Sequence, residues 1–174
     1  SGTENVFPIG KDGKKRFVRL DGVNNDGVES KPWTAEYFPS NPHDAGLDTS
    51  AYEATIQKVG ATEHWLVSGP SGGSASVSVE WGEESGVDPS YLDDLLLAEW
   101  NGTQWIDKGG DAAGDETHGV VSNATASTFS AKGVDKYFTL ASSSTDNPLP
   151  VSLLNFNAIV TANNEVEVQW TTAT

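Results

Sequence analysis

Between Ser74 and Trp81 the chain alternates. Ala75, Val77, Val79 and Trp81 fall on one side of an extended backbone, and Ser74, Ser76, Ser78 and Glu80 fall on the other. Period two is the signature of a strand with one face on a core and one in water. Residues 63–69 (EHWLVSG) come just before it, joined through the turn GPSGG. Residues 15–20, 33–38, 118–123 and 136–142 are rich in aromatic and β-branched residues and predict further strands, with Gly, Asn, Asp and Pro clustered between them as turns.

Asn101-Gly102 sits inside LLLAEWNGTQWID and predicts a hairpin with a two-residue type I′ turn. In that register Trp100 faces Thr103 and Ala98 faces Trp105. Those four share one face, and Leu97 and Ile106 share the other. Paired Trp residues read first as core lining and second as a sugar-stacking platform. DPSYLDDLLLAEW, residues 88–100, could also start a short helix with Ser90 as cap and Asp93 at the third position, but the Asn-Gly hairpin favours the strand.

At least seven short strands and no long helix in the first 142 residues predict an all-β fold, an antiparallel β-sandwich of immunoglobulin or jelly-roll type. Residues 143–150, small and polar and then Asn-Pro-Leu-Pro, read as a linker between a 1–142 domain and a 151–174 segment. In that last segment Leu154, Phe156, Ala158 and Val160 alternate, as do Val166, Val168 and Trp170, with Asn163-Asn164 as the turn. This predicts a C-terminal β-hairpin with an apolar face of its own. A lone two-stranded hairpin is marginal in water. Leu154, Phe156, Val166, Val168 and Trp170 therefore form a candidate interface. Packing on the chain's own sandwich, with Trp170 buried, is favoured over a neighbouring molecule because a tethered partner is locally concentrated.

Charge narrows the partners. With 25 acidic and 10 basic residues the net charge is −15, which opposes nucleic acid and anionic membranes. No apolar run reaches the ~20 residues of a membrane span, so membrane insertion is not expected. The absence of Cys excludes disulfides and thiolate metal sites. The absence of Met makes the chain read as the interior of a longer protein, with Ser1-Gly2 at an edge.

Candidate chemistry is sparse. GPSGG around Ser71 resembles the surroundings of a serine protease nucleophile, but His43, His64 and His118 lie in no motif that would supply its base. No zinc spacing joins these His. Two opposed carboxylates could serve a glycosidase, yet nothing isolates a pair among so many acids. Calcium is the candidate cofactor, because Asp107, Asp111, Asp115 and Glu116 stand in the Gly-rich stretch DKGGDAAGDE and could offer several oxygens. Asp21, Asn24, Asn25 and Asp26 make a second oxygen-rich loop, but Trp33 stands where the EF-hand template wants Glu. Glu83, Glu84, Asp88, Asp93 and Asp94 read as a solvated rim.

The run NPLPVSLLNFNAIVTANNEVEVQWTTAT resembles the opening of the fibronectin-III-like module of secreted Bacteroidetes surface proteins. Pro148, Leu149, Pro150, Val151, Leu153, Leu154, Phe156, Ala158, Val166, Val168, Trp170 and Thr171–Thr174 carry the likeness. FPIGKDGKKRFVRL, TAEYFPSNPH, VSVEWGEESGV and LLLAEWNGTQWIDKG are similar to the β-domain that often precedes that module. The resemblance implies the fold, export by the type IX route and a modular secreted or cell-surface location. It supplies no catalytic residue. The reading that follows is a non-catalytic structural or adhesive module, with neighbouring domains, copies of the same protein or surface glycans as the expected partners. Carbohydrate binding through Trp33, Trp65 or Trp100, or service as an accessory domain of a secreted hydrolase, are the alternatives.

Overall fold

A computed structural model describes residues 4–25, 32–129, 135–150, 153–160, 163 and 165–172. Two antiparallel sheets pack face to face. The first runs β1 (Asn5–Lys11), β2 (Lys14–Asn24), β6 (Gly73–Gly82), β10 (His118–Ser122), β9 (Asp111–Gly114), with β11 (Ser127–Phe129) also on β6. The second runs β3 (Thr34–Phe38), β5 (His64–Ser68), β12 (Asp135–Ser142), β7 (Leu95–Trp100), β8 (Trp105–Asp107), with β4 (Lys58–Val59) also on β12. A separate two-stranded sheet pairs β13 (Leu153–Val160) with β14 (Val166–Thr172). The sandwich and the C-terminal hairpin that the alternation predicts are both present.

The inward row of β6 behaves as its pattern dictates. Ala75, Val77, Val79 and Trp81 are buried, against Val18 and Leu20 of β2 and Trp65, Val67, Leu97, Phe138 and Leu140 of the opposite sheet. Trp81 lies across the cross-strand Gly119, where an added Cβ would come within 1.9 Å of its ring, so only glycine fits there. The other row is drier than alternation predicts. Ser78 is bonded to Ser122, and Glu80 accepts from the Phe17 N–H and meets the His118 ring at 3.0 Å. β10 and β11 run consecutively along one side of β6. Between them Asn123 continues the ladder: its N–H donates to the Val77 carbonyl, and its Oδ1 accepts from the Val77 N–H.

A second, smaller core lies on the outer face of the second sheet. There Leu96, Ala98, Trp105 and Ala141 pack with Leu47, Ile56 and Val59 from the connection between β3 and β5.

Three local expectations change. Trp100 pairs with Trp105, not Thr103, so the β7–β8 loop holds Asn101 to Gln104. Asn101 is responsible: its Oδ1 accepts from the N–H groups of Thr103 and Gln104 and from the Thr103 hydroxyl, which stabilises a wider loop. The shift is by two residues, so the predicted faces survive. Residues 89–94 form a short 3-10 helix before β7, capped by Asp88 accepting from the Ser90 N–H, not by Ser90. Finally, DKGGDAAGDE is not one loop, because its centre is strand β9.

Candidate functional site

A cleft of about 460 Å³ opens on the second sheet at the end of β7 and the start of β12. Leu47, Trp100, Ile106 and Tyr137 supply its apolar wall, and Glu99, Asn101, Asp135 and Lys136 its polar one. Trp100 and Tyr137 are half-buried, their inner sides resting on the smaller core. Trp100 meets the fully buried Trp105 edge-on, with centroids 5.4 Å apart.

Glu99 anchors this end. It shares the inward row of Leu95 and Leu97 and is only 3% exposed. An unpaired carboxylate there would be costly. Lys136 binds one of its oxygens; the Ser127 hydroxyl donates to the other at 2.5 Å, with Lys108 3.8 Å from it. Asp135 receives the Ser68 hydroxyl. Two aromatic edges beside fixed charged groups suit a polar ligand with apolar faces.

A second buried charge cluster ties the sheets together elsewhere. Arg16 of β2 binds Glu63 at 3.1 Å and Glu84 at 3.2 Å, and Glu63 also accepts from Tyr37 at 2.8 Å and from Ser85. Burial opposes the charge on Arg16, but Glu63, Tyr37 and Glu84 outweigh it and raise its pKa. Burial, and then Glu63, drive the Tyr37 hydroxyl far above its usual value. The group is saturated, and its evident work is to clamp the sheets.

The acidic residues nominated for calcium are spread apart. Asp111 and Asp115 flank opposite ends of β9, four residues along an extended strand and hence roughly 13 Å apart. Asp107 is turned to the Gly109 N–H at 2.6 Å. Asp115 caps the next turn through Thr117 and the His118 N–H, and these bonds hold its pKa below the ordinary carboxylate value. Glu116 lines a different cleft with Glu83 and Asp88. Among the described residues no group of three or more His, Asp and Glu could hold a metal ion. In the second oxygen-rich stretch Asp21 and Asn24 belong to β2 and Asn25 accepts from the Trp33 indole, while Asp26 lies outside the described residues.

Each His is engaged away from Ser71. His43 is near Asp48, His64 meets the Ser40 carbonyl at 3.0 Å, and His118 meets Glu80. Of the three Trp named for sugar stacking, Trp65 is fully buried, and Trp33 packs edge-on against Phe129 at 4.8 Å. Trp100 alone of the three lines the cleft. The sequence did not point to Glu99, Lys136 or Tyr137; the charged pair inside a strand-rich stretch was the available signal.

The hairpin reverses an expectation. Phe156 faces Trp170, Ala158 faces Val168 and Val160 faces Val166, so these six share one face. Trp170 is 66% exposed and Phe156 61%, so this face is not covered by the sandwich and Trp170 is not buried. The reason is geometric: among the described residues the hairpin forms its own sheet and adds to neither of the others. The side chain of Leu154 and most of the 161–164 turn lie outside the described residues.

No known protein family, curated protein or solved structure matches the chain. Among the described residues, no helix is long and apolar enough to cross a membrane.

Proposed function

We propose that the chain is a non-catalytic structural and adhesive module of a large secreted or cell-surface bacterial protein. It works through contact with neighbouring domains or with copies of itself. The observation that carries this reading is the bare hairpin face. Val160, Val166 and Trp170 are each more than 60% exposed and adjoin Phe156 and Val168, and a contiguous apolar surface of this kind marks a contact site. The residues favoured for it are Phe156, Val166, Val168 and Trp170. The resemblance to type IX-exported modules supports the location. Sedimentation velocity over a concentration series tests the self-contact: mass should rise with concentration, and more so in high salt, since −15 repels −15. Val168→Ser with Trp170→Ser should remove the rise. A chain monomeric at every concentration and salt would leave contact with other domains as the remaining form of the reading.

The Trp100–Tyr137 cleft favours a second reading, glycan binding. Sugar rings stack their C–H faces on aromatic side chains, while Asp135, Asn101 and Lys136, the last held in place by the buried Glu99, could meet hydroxyls. Titration with neutral hexose oligosaccharides, followed by Trp fluorescence, should show saturation that Trp100→Ala abolishes. A flat response would remove this reading and leave the first untouched.

A further inference from the structure

Two stretches that read as simple connections are structured. Residues 143–150 are not a free linker, since Leu149 is 2% exposed and belongs to the main core with Val87 and Leu95. The loop from Asn101 to Gln104 is the other, and it carries a motif. The chain holds Asn-x-Thr twice, as Asn101-Gly102-Thr103 and as Asn123-Ala124-Thr125. That tripeptide is the acceptor for N-linked glycans on surface loops of exported proteins. The fold treats the two copies oppositely. Asn123 is 6% exposed, and both ends of its amide are engaged: Oδ1 accepts from the Val77 N–H at 2.9 Å, and Nδ2 donates to the Ser127 hydroxyl at 3.3 Å. Asn101, Gly102 and Thr103 are exposed at the tip between β7 and β8. The side-chain hydrogen bonds of Asn101 run through Oδ1, which accepts from the Thr103 N–H at 2.9 Å, the Gln104 N–H at 2.9 Å and the Thr103 hydroxyl at 3.0 Å. Its Nδ2 donates to none of the described residues.

We propose that Asn101 is an N-glycan acceptor and that the first sugar of its glycan rests in the Trp100–Tyr137 cleft. The role rests on the exported location read above, where a transferase would meet the chain. The donor is an oligosaccharide carried on a polyprenyl diphosphate. Nδ2 gives a proton to the transferase and bonds to the sugar C1; the C1–O bond breaks, and the lipid diphosphate leaves with its electron pair. An amide nitrogen is a poor nucleophile until negative charge can settle on its oxygen. Three donors already aimed at Oδ1 favour that charge. Asn101 lines the cleft together with Trp100 and Tyr137, so a sugar on Nδ2 starts beside aromatic walls that suit its C–H faces.

The acceptor is tested on the folded full chain, with a purified single-subunit oligosaccharyltransferase that reads Asn-x-Thr and its lipid-linked donor. Intact mass should rise by one glycan, and peptide mapping should place it on Asn101 and leave Asn123 bare. Asn101→Gln and Thr103→Val should lose the gain, and Thr103→Ser should keep it. Trp emission should shift on attachment, and Trp100→Ala should lose that shift while keeping the glycan. A folded chain that stays unmodified, or one modified equally at Asn123, would overturn the acceptor; emission unchanged by attachment would overturn the docking in the cleft. The reaction runs outside any cell, so its failure would count against Asn101 and leave the exported location untouched.

Discussion

Strands β6 and β14 carry nearly the same code and meet opposite fates. Val77, Val79 and Trp81 alternate with Ser78 and Glu80; Val166, Val168 and Trp170 alternate with Glu167 and Gln169. In β6 the apolar row is at most 1% exposed, whereas in β14 it is 41% to 66% exposed. Alternation specifies a face, and nothing in it specifies what covers that face. β6 has β2, β10 and β11 beside it and a second sheet opposite, while β14 has β13 alone among the described residues. The difference lies in tertiary supply, not in the strands.

The comparison can be broken first at the charges. Glu63→Ala would leave the buried Arg16 with only the exposed Glu84 carboxylate and would free the Tyr37 and Ser85 hydroxyls, so denaturant unfolding should show a loss of ~3–5 kcal/mol. Glu167→Ala on the hairpin, whose carboxylate accepts only from Gln169 among the described contacts, should change stability by less than ~0.5 kcal/mol. Equal losses would mean that the hairpin is as integral as the sandwich.

Next come the apolar rows. Val79→Ala should cost ~1–3 kcal/mol through lost burial and a residual cavity. Val168→Ala should leave the same unfolding midpoint within ~0.5 kcal/mol in dilute protein. A larger effect at 168 would show that its face is covered in solution.

A smaller, directional effect concerns pH. His64 is 1% exposed, stacked on Phe38 at 4.8 Å and near Tyr137, and burial lowers its pKa from 6.5. The Ser40 carbonyl works against that shift, and the Lys11 charge adds to it. The unfolded chain therefore takes up a proton near pH 6.5 that the folded chain refuses. This contribution is fully present above that pH and should be lost as pH falls from 6.5 toward the depressed value. His64→Gln should flatten that part of a melting-temperature profile.

The smallest expected effect is that of calcium. With Asp111 and Asp115 at opposite ends of β9, melting curves in calcium and in chelator should coincide. A rise in calcium would require a site assembled from other residues.

The sequence alone determined which residues extend and which side of each strand is apolar. The inward rows of β6 and β7, the Trp105 burial and the existence of the hairpin all follow from period two and turn chemistry, which act over a few neighbouring residues. It also placed the β7–β8 connection correctly, though not its register, because one side-chain oxygen of Asn101 gathers three donors and widens the turn. Other outcomes belong to the tertiary structure. Asp107, Asp111 and Asp115 are near in sequence, but an extended strand carries them apart. Arg16 and Glu63, or Glu99 and Lys136, are distant in sequence, and sheet packing brings them together where water is scarce, so each must find its partner. Leu149 looks like linker punctuation until the end of the sandwich offers it a hole. Trp81 is buried and Trp170 is bare for the same underlying reason: local pattern sets the direction of a side chain, but only the folded surroundings decide whether water reaches it.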